Sequence, residues 1–145
     1  MTNYEDESRG TYQNRDYARQ IISFEGMKFK GSKGKLNVTP TDIDGFIQLN
    51  NENAYIFFEL KHGNPHLPNG QGMALKNLVN ALNEAGKNAV LFIAYHTSDS
   101  EADVIAADAI VDRFYDAKGW HQCPENVKAP LYRCISNWLA KEKTA

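Results

Sequence analysis

Thr41-Asp42-Ile43-Asp44-Gly45-Phe46-Ile47-Gln48-Leu49, a polar turn Asn50-Asn51-Glu52-Asn53, then Ala54-Tyr55-Ile56-Phe57-Phe58-Glu59-Leu60-Lys61 is the stretch that decides the fold. If Asn50 to Asn53 form the loop of an antiparallel hairpin, Leu49 faces Ala54, and counting outward sets Asp44 opposite Glu59. Directly opposed side chains have Cβ atoms roughly 4.5–5.5 Å apart, close enough for two carboxylates to share one divalent cation. Lys61 projects from the same face as Glu59 because side chains alternate along a strand. Ile43, Ile47, Leu49, Ile56, Phe58 and Leu60 fall on one face, and Phe46, Tyr55 and Phe57 on the other, the pattern of a sheet covered on both sides. Two carboxylates at the margin of such a sheet repel unless a cation, a metal or hydrogen bonds compensate them. The competing reading is that Asp42 and Asp44 belong to a turn and that Glu59 and Lys61 are a solvated strand end.

After the hairpin, Gln71, Leu75, Leu78, Val79 and Leu82 recur at helical spacing, which predicts an amphipathic helix from about Gly70 to Ala85, ended by Gly86. Gln71 stands on the apolar stripe in the first turn, so it points toward the sheet, either to a site there or as a capping or tethering amide. The run Ala89 to Tyr95 suits a buried central strand reached by that helical crossover. An initial helix is expected from about Tyr17 to Ser23 and a strand around Met27 to Phe29. A strand or short helix is expected within Val104 to Tyr115, and a closing helix from Leu131 to Lys141.

Asp44 followed by Glu59-Leu60-Lys61 resembles the site of the PD-(D/E)XK nuclease superfamily, an aspartate at the start of one strand and Glu-x-Lys on the next. Pro40 lies upstream but not directly before the aspartate, so Asp42 and Asp44 compete for the ligand role, and the hairpin register favours Asp44. The stretch from Val38 to His96 also looks like small nuclease-like proteins of bacteriophages and mobile elements. The resemblance implies an α/β fold with a restriction-endonuclease-like core, a central mixed β-sheet flanked by helices in αβββαβ order. It further implies a Mg²⁺-dependent DNA endonuclease or resolvase-like enzyme, with Mn²⁺ as a substitute metal. Asp44, Glu59 and the backbone carbonyl of Leu60 would be the metal ligands, and Lys61 would hold or activate water or stabilise the phosphate. Gln71 matches a glutamine often carried on the following helix, and Glu25 would be an extra acid from the first helix. The alternative is a nuclease fold kept as a noncatalytic binding or inhibitory protein that acts through protein contacts.

A chain of 145 residues suffices for one domain, expected over 16–145 behind a flexible polar tail at 1–15. No apolar run has the length of a membrane span and the N-terminus lacks a signal-peptide core, so a cytoplasmic protein without membrane or organic cofactor is expected. Cys123 and Cys134 form neither a close metal pair nor a disulfide framework. The net charge of −2 argues against gripping nucleic acid nonspecifically, but Lys28, Lys30, Lys33 and Lys35 cluster before the hairpin as a candidate DNA contact. His62, His66 and His96 lack tight zinc spacing. A homodimer would suit cutting of two strands, though no coiled-coil pattern is visible.

Overall fold

A computed structural model of the chain describes residues 23–31, 37–67, 69–99 and 101–144. The helix expected from Tyr17 lies almost wholly outside these residues, as do Lys33, Lys35 and the 1–15 tail. The chain divides between Pro40 and Thr41 into two units. In the first, β1 (Phe29–Lys30) pairs antiparallel with β2 (Asn37–Val38) as a sheet of their own. The strand expected at Met27 to Phe29 is therefore displaced by a residue or so, and it does not join the main sheet.

The second unit is α/β. Five strands, β3 (Gly45–Leu49), β4 (Ala54–His62), β5 (Asn88–His96), β6 (Ile110–Asp116) and β7 (Gly119–Gln122), lie in that order across a mixed sheet. Only β4 and β5 run parallel; the other neighbours are antiparallel. A parallel pair needs a crossover, and α1 (Asn69–Glu84) supplies it. A second helix, α2 (Leu131–Thr144), closes the chain. Among the described residues no helix is long and apolar enough to cross a membrane.

Local chemistry sets these elements. The β3–β4 turn closes with Asn53 N–H donating to Asn50 C=O at 3.1 Å and Asn53 in the left-handed region at φ 54°, a conformation asparagine tolerates better than most residues. Leu49 pairs with Ala54, as the loop length requires. The Asn53 side chain donates to Gly86 C=O at 2.8 Å and its carbonyl accepts from Asn88 N–H at 2.9 Å, tying the hairpin turn to the end of the crossover. Helix α1 stops at Gly86, φ 88°, where Lys87 N–H returns to Leu82 C=O at 3.0 Å in a Schellman closure.

Alternation sorts the core into two layers. Phe57, Ala89, Leu91 and Ile93 meet Leu67, Leu75 and Val79 on the α1 side. On the other side Ile56, Val90, Phe92 and Val111 meet Leu131 and Trp138 of α2, with Ile47, Leu49, Phe58 and Leu60 packed around them. Residues 131, 134, 135, 138 and 139 give α2 its one apolar stripe. Beyond the expected elements the chain adds β7 and turns a short 3-10 segment, Ala106–Asp108, into β6. A β-bulge interrupts β5–β6: Ile93 pairs with Arg113 and Ala94 with Val111, leaving Asp112 as the extra residue.

Candidate functional site

The cluster lies where β3 begins. Gly45 is the first paired residue of β3 and lies against Phe58, and a Cβ placed on Gly45 would fall inside the Phe58 ring. Glycine at 45 thus lets the ring lie across the end of the hairpin, and Asp44 stands just beyond the last pair. Its Oδ2 accepts the Leu60 N–H at 2.8 Å, so a side chain continues the ladder where the β3 backbone has left it. In an extended strand a residue's N–H and C=O point to the same side. The Leu60 carbonyl therefore faces the same edge as Asp44.

Glu59 pairs with Ile93 of β5 and points to the α1 side, where it is 1% exposed. The first turn of α1 brings Gln71 onto it: Gln71 Nε2 donates to Glu59 Oε1 at 2.7 Å and to the Asp42 carbonyl at 3.3 Å. The amide oxygen of Gln71 accepts from Lys61 Nζ at 3.1 Å. Lys61 and the Asp42 carbonyl fix this orientation, because an ammonium has no lone pair and a carbonyl has no proton to offer. Gln71 is thereby the link between the acid and the cation of the Glu-x-Lys pair. Asp42 contributes its main chain, and among the described residues Lys61 forms no ion pair.

Glu59 Oε2 is buried without a hydrogen-bond partner. Burial first, and then the adjacent Asp44 carboxylate, push the Glu59 pKa from 4.5 to about 8, with the Lys61 charge offsetting only part of this. When ionised, Glu59 and Asp44 are two acceptors with no proton between them; with a proton on Glu59 the pair can share it. Such a carboxylate pair favours whatever brings positive charge to it.

Asp44, Glu59, Lys61 and Gln71 therefore come together, with the Leu60 backbone at the same edge. Glu25 and the lysines at 28 and 30 belong to the first unit. His62 and His96 pair across β4 and β5 with ring centroids 5.2 Å apart, and among the described residues no three His, Cys, Asp or Glu side chains form a metal-holding group. The cysteines are free and half-buried, and burial raises the pKa of both thiols.

Arg113 escaped the sequence reading. Its Nη1 donates to the Pro65 carbonyl at 3.0 Å, anchoring the loop that delivers Gln71. Nothing local to Val111-Asp112-Arg113 signals this; the bulge beside Asp112 sets the direction of both side chains. No protein-family model, curated protein or solved structure matches this chain.

Proposed function

We propose that this chain is a metal-dependent phosphodiesterase of PD-(D/E)XK type, with a restriction-endonuclease-like core, that hydrolyses DNA. The observation that carries the reading is the buried, unpartnered Glu59 Oε2 beside the Asp44 carboxylate. An apolar protein interior tolerates such a pair poorly, and two hard oxygen donors with an adjacent backbone carbonyl suit Mg²⁺, which retains several waters of its own. Asp44, Glu59 and the Leu60 carbonyl would hold it. When bound, the ion supplies neutralisation of phosphate charge and a more acidic water.

The chain's own residues do the rest. Lys61, held by Gln71 rather than by a carboxylate, keeps its charge directed at the site, where it orients water or meets a phosphate oxygen. Gln71 fixes Glu59 through one end of its amide and Lys61 through the other, so both reactive groups share one support.

The test is cleavage of labelled linear duplex, single-stranded, flap and four-way-junction DNA with Mg²⁺, Mn²⁺ or EDTA. Lys61→Ala is run alongside the wild type. Metal-dependent cutting by the wild type, reduced at least about a hundredfold in Lys61→Ala, is expected for a positioned acid–base group. Folded protein that cuts none of these in either metal overturns the reading and moves weight to a noncatalytic fold acting through protein contacts.

A further inference from the structure

A groove of about 630 Å³ runs along α1 on the side away from Glu59, between that helix and the β6–β7 hairpin. Leu67 lines its floor, and on α1 its wall begins at Gly72, the residue after Gln71. Met73, Lys76 and Asn77 form the helical side, and Arg113 and Trp120 the sheet side. The volume lies within the roughly 300–1,000 Å³ of small-ligand sites.

Three features give it a chemical character. Trp120 is 40% exposed, although it lies in a strand and packs against a neighbour. Tyr115 meets it edge-on with centroids 5.2 Å apart, and the Tyr115 hydroxyl donates to Asn80 at 2.9 Å, so the indole rests on a fixed support. Two cations flank these rings: Arg113 Cζ lies 5.1 Å from the Trp120 centroid and Lys76 Nζ 5.3 Å from that of Tyr115. Among the described residues, no carboxylate lies within ion-pair distance of Lys76. Arg113 donates from Nη1 to the Pro65 carbonyl and to Asp112, with which it forms an ion pair at 2.9 Å, and among the described residues no acceptor engages its Nη2 or Nε.

An exposed, rigid indole between two cations with donors to spare has the composition of a surface for single-stranded nucleic acid, on which bases stack and phosphates meet positive charge. A duplex keeps its bases stacked on one another and offers no free base face. We propose that this groove binds single-stranded nucleic acid, one unpaired base stacking on Trp120 while neighbouring phosphates meet Lys76 and Arg113. The proposal deepens the phosphodiesterase reading, on which its biological meaning rests, by naming unpaired strands as the substrate class. It also explains how a chain of net charge −2 could hold a polyanion: the charge is local and the stacking term is neutral.

Binding is measured on the full chain in EDTA, which separates it from cutting. The probes are labelled oligo-dT and oligo-U of about ten nucleotides and a matched duplex, followed by anisotropy and tryptophan fluorescence. The other tryptophan, Trp138, is buried in the core and serves as an unquenched background. Saturable binding of a single strand with tryptophan quenching is expected, with the duplex weaker and without quenching. Lys76→Glu and Trp120→Leu should each weaken binding about tenfold, while Lys76→Arg and Trp120→Phe stay within a few fold of wild type. Preference between oligo-dT and oligo-U identifies the strand type. Absence of single-strand binding, binding unchanged in both disruptive variants, or equal duplex binding without quenching would each overturn the groove assignment, whatever the cleavage assay shows. Binding that follows these expectations in a protein that cuts nothing would overturn only the hydrolytic reading.

Discussion

Glu59 and Asp112 are the two buried acidic side chains of the described residues, 1% and 8% exposed, and they have opposite surroundings. Asp112 sits at the β5–β6 bulge amid donors: Arg113 at 2.9 Å, Gln122 at 3.1 Å and Lys128 at 3.3 Å. Burial alone would raise its pKa, but these bonds outweigh that cost and hold its carboxyl below the ordinary value. Glu59 has one amide donor, an unpartnered oxygen and a second carboxylate for company. The contrast separates a carboxylate that braces the fold from one whose needs the folded chain leaves unmet, the condition under which a buried polar group asks for a role beyond structure.

The largest expected effect breaks the braced side. Asp112→Ala should lower unfolding free energy by on the order of 3 kcal/mol, since it removes the carboxylate that Arg113, Gln122 and Lys128 share. Denaturant titration checks this, and a loss below about 1 kcal/mol would remove Asp112 from that role. The opposite sign is expected at the other carboxylate. Glu59→Gln should stabilise metal-free protein at pH 9 by on the order of 1 kcal/mol, because it removes a buried repelled charge while keeping the shape. The same variant should lose the Mg²⁺-dependent rise in melting temperature, if the wild type shows one. Wild-type metal affinity in Glu59→Gln by calorimetry would exclude Glu59 as a ligand.

The prediction that sharpens the contrast most is the pH profile in EDTA. Folded Glu59 keeps its proton where the unfolded chain has released it, so its contribution to stability should fall as pH rises from about 4.5 to about 8 and then level off. Asp112 runs the other way. Its depressed pKa gives stability that is full above 3.8 and is lost as acid protonates the folded carboxyl. Glu59→Gln should flatten the alkaline limb and leave the acid limb in place. An alkaline limb unchanged in that variant would assign it to another group.

How much of this was readable beforehand follows from the range of each interaction. The hairpin register depends on loop length and alternation, both local, so Leu49 opposite Ala54 and the two faces of β4 could be counted from the text. Gln71 facing the sheet follows from the helical stripe, and that geometry is present. The separate β1–β2 sheet was not legible, because two-residue strands carry no periodicity. Nor was β7, whose Gly119-Trp120-His121-Gln122 is short and only half apolar. The bulge at Asp112, the Arg113 anchor and the groove depend on pairings between strands far apart in the chain. The difference between Glu59 and Asp112 lies largely in neighbours brought in from elsewhere in the chain, Gln71 and Asp44 for the one and Gln122 and Lys128 for the other.

The crossover between β4 and β5 has a kinetic side. Strands β3 and β4 can close as a hairpin from local contacts, whereas pairing β4 with β5 closes the longer loop that contains α1. A nascent hairpin would thus hold Asp44 and Glu59 side by side in water as ordinary acids. Glu59 acquires its unusual proton affinity only once the folded chain buries it beside Asp44, so its titration should report how far that burial has formed.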